Sequence, residues 1–139
     1  MRSKRRDHKK RGTASVELAV MTPFLLTLLF GIIEFSWAFT VRQAVVTAAR
    51  EGAREAVLPG ASEADIQGRI APYMESAGVT DYSVEITRGT PQDPTEVIHV
   101  FLDYGQVSLV GNYFGDMFDF TMGATCSMRT EGLDTPDQE

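Results

Sequence analysis

A nearly uninterrupted apolar run, Leu18–Phe39, dominates the pattern of hydrophobic and polar positions along the chain. Its only charged side chain is Glu34, and its length matches the ~20 apolar residues that a helix needs to cross a bilayer. A helix that is apolar all round must be buried on every side, so water-soluble domains rarely contain one. The pattern therefore predicts a transmembrane helix.

The helical pattern continues beyond this run. Apolar residues recur there every three or four positions, the spacing of one helix face. They are Val41, Ala44, Val45, Ala48, Ala49, Ala53, Ala56 and Val57. Pro59 and Gly60 then end the pattern. We expect one long helix over residues 13–58, whose alanine-rich face packs at least partly on the protein's own domain.

A short second helix is predicted after Ser62, an N-cap residue that acids follow. Pro72 should kink or shorten this helix, and Gly78 should close it. Its apolar face consists of Ile66, Ile70, Tyr73 and Met74.

Alternation of apolar and polar residues predicts three half-buried antiparallel strands, within residues 80–88, 96–107 and 119–129. Their apolar rows are Tyr82, Val84 and Ile86; Ile98, Val100, Leu102 and Tyr104; and Phe120, Met122, Ala124, Cys126 and Met128. A polar turn over 89–95 joins the first two strands, and residues 108–118 should form a short helix or turn against the sheet.

The expected fold class is α+β, a long N-terminal transmembrane helix continuing into a small domain with a short helix and a three-stranded antiparallel sheet. The expected organisation is a basic cytoplasmic leader over 1–12, a transmembrane and extended helix over 13–58, an extracytoplasmic α+β domain over 59–131 and a disordered tail over 132–139.

Charge is distributed very unevenly. The first 11 residues carry seven basic side chains and one acid, so the net charge of -6 leaves -12 for the rest. Basic residues beside a membrane helix stay cytoplasmic, which predicts a solvated N-terminal arm inside and the C-terminal body outside. Because the arm lies directly against the membrane segment, nucleic acid is not an expected partner.

Small residues lie before the apolar run, whereas a secretory signal has them after it. A cut after Gly12 would remove the basic arm and keep the helix. Glu17 would then lie close to the new amine of Thr13. A carboxylate at the edge of a bilayer is costly unless it is paired, although it also favours the positive end of its own helix. Glu17 is thus a candidate register contact between subunits, or a contact within its own helix start.

The stretch RGTASVELAVMTPFLLTLLFGIIEFSWAFTVRQAVVTAAREGAREA, from Arg11 to Ala56, resembles the TadE-like family of tight-adherence pilus proteins. Its basic leader, glycine, glutamate and hydrophobic helix are similar to the processing site of type IV pilin-like proteins. The resemblance implies cleavage between Gly12 and Thr13 by a membrane aspartyl prepilin peptidase. Thr13 stands where many pilins have phenylalanine, which leaves N-methylation open.

Two residues within the run are candidates for contacts inside the membrane. Pro23 lacks an amide donor and should kink or loosen the helix, which neighbouring helices can compensate. Glu34 either extends to the outer interface or pairs within an assembly. Trp37 and Phe39 fit an outer aromatic belt.

No residue set indicates catalysis, a cofactor or a metal site. The two histidines, His8 in the arm and His99 on a strand, suggest neither a metal pair nor a triad. His99 should lie on the surface, opposite the apolar row of its strand. Cys126, the single cysteine, is expected to be a buried small hydrophobe. We therefore do not expect an enzyme.

The expected function is that of a minor pilin or pseudopilin of a tight-adherence system, which packs with other pilins to initiate, cap or decorate the pilus. The expected partners are membrane lipid, the prepilin peptidase, other pilins and an inner-membrane assembly platform. One alternative is an unprocessed single-pass anchor that presents a binding or sensory domain. Another is a secreted protein cut after Ala48. The mature N-terminus distinguishes these three: Thr13, Met1 or Ala49.

Overall fold

The computed structural model describes residues 6–111 and 120–130, with side chains from Gly12 onward. The predicted tail over 132–139 and most of residues 108–118 lie outside these residues. The elements are α1 (Arg6–Ala56), α2 (Glu63–Ser76), β1 (Ser83–Thr87), β2 (Thr95–Asp103), the short 3-10 helix η1 (Tyr104–Gln106) and β3 (Thr121–Arg129). The predicted α+β class is confirmed. The chain divides into an N-terminal unit, 1–36, and a C-terminal unit, 37–139.

Helix α1 begins earlier than the sequence indicated. The arm was expected to be a solvated coil, but the helix already includes Arg6 and ends at Ala56 rather than Leu58. Arginine and lysine are good helix formers, and extending an existing helix avoids the cost of nucleating a new one. Pro23 lies inside α1, and the helix continues across it.

Helix α2 follows its predicted boundaries. Ser62 is the N-cap, and a reciprocal capping box joins it to Asp65. Gly78 follows the end of α2 and has a φ of 68°. This left-handed conformation is common after helix ends, and glycine adopts it without the steric strain that a Cβ would cause. The expected shortening at Pro72 is wrong, since α2 is continuous from Glu63 to Ser76, whereas a kink at this position stays a prediction. Proline leaves the carbonyl four residues earlier without its helical donor, here Gly68, which is exposed and can be hydrated.

The three strands form one antiparallel sheet in the order β1-β2-β3. Val100 lies opposite both Val84 and Ala124, so the predicted apolar rows share one face. His99 lies on the other face, half-buried, opposite Glu85 and Thr125. Phe120 precedes β3 and is 45% exposed, and its ring stacks on Tyr104 with centroids 4.9 Å apart.

The core of the C-terminal unit lies between the sheet, α2 and the outer part of α1. The predicted α1 face is buried, with Val41, Val45, Ala48 and Ala53 each 0% exposed. Gly52 lies on this face, so close to its neighbours that an added Cβ would lie 2.8 Å from Ile70 Cδ1. Small side chains on α1 therefore let the helix approach α2 and the sheet.

The end of α1 is tied to the sheet by a residue that the sequence did not single out. The guanidinium of Arg88 donates to the carbonyl oxygens of Ala61 at 2.7 Å and Ala56 at 3.4 Å. It also lies 3.7 Å from Glu96 Oε2, and Glu96 is 8% exposed. Arg88 therefore supplies donors for carbonyls at and after the helix end, which have no partner within the helix.

Candidate processing and assembly site

The predicted cleavage site lies in the exposed, N-terminal part of α1. Gly12 and Thr13 are both helical and exposed. A Cβ added at Gly12 would meet no atom within 4 Å, and its φ is not positive. Glycine within a helix costs about 1 kcal/mol relative to alanine. Neither the packing nor the backbone of the described residues therefore requires glycine at this position.

Glu17 lies one helical turn after Thr13, and both are exposed. Residues four apart share a helix face, and the axial rise between them is about 6 Å. An amine created at Thr13 would therefore be near the Glu17 carboxylate of the same chain. The same exposure leaves Glu17 accessible to a neighbouring subunit, so both interpretations of this residue stay open.

The segment around Pro23 places several polar groups within the apolar run. Proline cannot donate to the carbonyl of Ala19, four residues earlier. The hydroxyl of Thr22 donates to the Leu18 carbonyl at 2.7 Å, and that of Thr27 donates to the Pro23 carbonyl at 2.8 Å. These two hydroxyls are thus satisfied by their own helix, which makes their presence in an apolar environment less costly.

Glu34 differs from the residues around it. The neighbouring Ile33 and Phe35 are 43% and 75% exposed, whereas Glu34 is 2% exposed. Extension of Glu34 to the outer interface and its pairing within an assembly both stay predictions.

Trp37 was predicted to belong to an aromatic belt, and the structure gives it a specific partner. Its indole Nε1 donates to the Val107 carbonyl at 2.8 Å, and the ring is half-buried. Phe39 is 56% exposed. The residue order gave no indication of the bond to Val107, because its two partners are 70 positions apart.

The described residues contain no group of three or more histidine, cysteine or acidic residues that could hold a metal ion. His99 Nδ1 lies 3.5 Å from Glu85 Oε2, on the open face of the sheet. Cys126 is half-buried in β3, less buried than predicted, because β3 is an edge strand paired only with β2 among the described residues.

The most apolar stretch of α1 is long enough to cross a membrane, and none of it is buried within the chain. Residues 12–54 match the TadE-like protein family. The TadE-like segment begins at Gly12, covers a little under a third of the 139 residues and ends two residues before α1 does. This confirms the resemblance seen in the sequence and relates the chain to tight-adherence pilus assembly. No curated protein and no solved structure shows a significant match to the chain.

Proposed function

We propose that this chain is a minor pilin or pseudopilin of a tight-adherence pilus assembly system. A prepilin peptidase cuts it after Gly12, and its N-terminal helix then packs with other pilins to initiate, cap or decorate the pilus. The observation that carries this proposal is that the TadE-like match begins at Gly12, a glycine for which the fold offers no structural reason.

The proposed mechanism is mechanical. Before assembly, the exposed apolar part of α1 holds the protein in the inner membrane, with the basic leader on the cytoplasmic side and the C-terminal unit outside. After the cut, the same surface passes from lipid to neighbouring helices on the assembly platform. Little hydrophobic free energy changes in that exchange, because lipid tails are as apolar as the partner helices. Specific polar contacts, with Glu17 as the first candidate, then set the axial position of each subunit relative to its neighbours.

The test is the mature N-terminus of the protein extracted from membranes of its own host, read by mass spectrometry. We expect Thr13 as the first residue, and Gly12→Leu should abolish the cut because the peptidase must admit that residue in a tight site. Gly31→Leu is the matched control, since Gly31 is also an exposed helical glycine with no atom within 4 Å of an added Cβ. Normal maturation of the Gly12 variant would refute processing.

The role of Glu17 is tested in the same preparation. If it sets register between subunits, Glu17→Gln should be cut normally but fail to co-purify with other pilins. Glu75→Gln is the control substitution, because Glu75 is an exposed carboxylate on α2. Normal co-purification of the Glu17 variant would leave only the contact within its own helix start, which contributes about 1 kcal/mol or less.

The second candidate function is an unprocessed single-pass anchor that presents the C-terminal unit as a binding or sensory domain. The self-contained core of that unit favours this candidate, since the unit buries its own apolar faces. An intact Met1 in the membrane-extracted protein would support the anchor, whereas Ala49 would indicate a secreted protein.

A further inference from the structure

The two edge strands of the sheet, β1 and β3, differ in how their free edges are protected. Proteins usually protect a free strand edge by keeping the strand short or by placing charges or proline on it. Strand β1 has five residues and carries Glu85 at its centre. Strand β3 has nine residues, with neither proline nor a charged side chain before Arg129 at its end. The edge of β3 is therefore the one that is open to pairing with a further strand.

Hydrogen bonds at both ends of β3 show which of its backbone groups face this edge. The register between β2 and β3 is uninterrupted over all of β3. One step before it, the Tyr104 N–H donates to the Phe120 carbonyl at 2.9 Å, and one step after it the Thr130 N–H donates to the Pro94 carbonyl at 2.8 Å. Antiparallel pairs alternate between those that exchange backbone bonds and those whose backbone groups point away. The even-numbered residues of β3 therefore bond to β2. The odd-numbered residues face the free edge: Thr121, Gly123, Thr125, Ser127 and Arg129.

The backbone groups along this edge are accessible. All the odd-numbered residues of β3 are exposed. Gly123 has no side chain, so its exposed surface is backbone. Within the part of the chain that the structure describes, β3 pairs with β2 alone. The edge thus presents a regular row of N–H and C=O groups, which is the feature that binds an added strand.

The apolar row of β3 is less well covered than that of the central strand. In β2 this row consists of Ile98, Val100 and Leu102, which are at most 2% exposed. In β3 every member is half-buried: Met122, Ala124, Cys126 and Met128. An added strand with apolar residues at alternate positions would lie beside this row and extend it, because residues opposite each other on neighbouring strands point to the same face.

We propose that β3 binds an extended segment of another protein, which adds a fourth strand to the sheet. The row of backbone groups supplies the hydrogen bonds, and the half-buried row selects apolar residues at alternate positions of the segment. Arg129, the one charged residue of β3, selects an acidic residue opposite it, since opposite charges across an antiparallel pair stabilise the pairing. The proposal does not depend on a cut after Gly12, because β3 belongs to the C-terminal unit.

The probe for the test is a synthetic peptide as long as the nine residues of β3, with glutamate first and then alternating valine and threonine. Paired antiparallel to β3, it places glutamate opposite Arg129, the valines beside the half-buried row and the threonines opposite the odd-numbered residues. The N–H groups of its threonines then face β3, whereas those of its valines face away. Binding of the fluorescein-labelled peptide to the full chain in detergent micelles is followed by fluorescence anisotropy, and empty micelles give the background.

Two N-methylated peptides with equal numbers of methyl groups make the matched comparison. Methylation at the valines should leave binding unchanged, and methylation at the threonines should weaken it at least about tenfold, because it removes the donors that face β3. In the protein, Thr125→Pro removes one N–H that faces the edge and no bond to β2, so it should weaken binding, whereas Thr125→Val should not.

Three results would overturn the proposal. Equal binding of the two methylated peptides would show that backbone pairing at this edge does not hold the segment. Absence of binding by the unmethylated peptide would show that the edge is not available to an added strand. A chain that sediments as a dimer alone and as a monomer with the peptide would make a second copy the occupant of the edge.

Discussion

Gly52 is the position where a single added methyl group tests the packing of the C-terminal unit. It lies in the middle of the buried face of α1 and is itself buried. A Cβ there would lie 2.8 Å from Ile70 Cδ1, 2.9 Å from Ile70 Cγ1 and 3.3 Å from Ile98 Cγ2. Because Ile70 is 0% exposed, its side chain has little room to move away.

Two effects of Gly52→Ala oppose each other. Alanine is favoured over glycine in a helix interior by about 1 kcal/mol. Overpacking a core typically costs about 1–3 kcal/mol. The close contacts involve Cδ1 and Cγ1 of Ile70 and are shorter than ordinary van der Waals distances, so we place the strain in the upper half of that range. The expected net result is a loss of roughly 1 kcal/mol in the free energy of unfolding.

The assay is urea unfolding of the full chain in detergent micelles, followed by far-ultraviolet circular dichroism. Gly68→Ala is the matched control, since Gly68 lies within α2 with no atom within 4 Å of an added Cβ and should gain about 1 kcal/mol. Adding Ile70→Ala removes the clashing atoms, so the double variant should lose less than the sum of the two single losses. If Gly52→Ala stabilises as much as Gly68→Ala, the packing argument is wrong.

Two further predictions concern contacts within the C-terminal unit. Arg88→Met should lower the free energy of unfolding by about 2–3 kcal/mol, because Glu96 loses its countercharge and two carbonyls lose a donor. Adding Glu96→Gln should recover part of this loss. A loss below about 0.5 kcal/mol in Arg88→Met would mean that the ion pair contributes no more than an exposed surface pair does. The Ser62 hydroxyl and then the Ser62 backbone N–H hold the pKa of Asp65 below its ordinary value. This contribution to stability is present above the unfolded-state pKa and disappears as the pH falls through the lower folded-state pKa. Ser62→Ala should raise the Asp65 pKa toward the ordinary value in a carboxyl NMR titration, whereas Ser76→Ala should not; an unchanged pKa in the first variant would contradict the capping assignment.

The elements of the fold could be predicted from local pattern, because each depends on residues close together in sequence. The alternation around Ile98 and Val100 predicted a buried row, and both residues are 0% exposed. Ser62 followed by Asp65 predicted a cap, and the capping box is present. The wrong expectation that Pro72 would shorten α2 has a local origin as well, because the pattern does not reveal that the carbonyl left without a donor lies on the exposed side of α2.

The contacts that join the elements could not be predicted, because they depend on distances in space. No local pattern marks the position of Gly52, which lies against Ile70 of α2 and Ile98 of β2. Arg88 looked like an ordinary residue at a strand end, and Trp37 like a generic interfacial aromatic. Their partners are the backbone carbonyls of Ala61 and Val107. Every residue has such a carbonyl, so the residue type gives no indication of which one accepts the hydrogen bond.

The TadE-like segment combines two surfaces that can be tested separately. Up to Phe35 its large apolar side chains are exposed, a surface suited to lipid or partner helices. From Val41 to Ala53 only one face is apolar, and that face is already covered by the C-terminal unit. Substitutions on the first surface should therefore change membrane residence or assembly and leave unfolding of the C-terminal unit unchanged. Substitutions such as Gly52→Ala should do the reverse, so a variant that altered both would show that the helix transmits strain from one surface to the other.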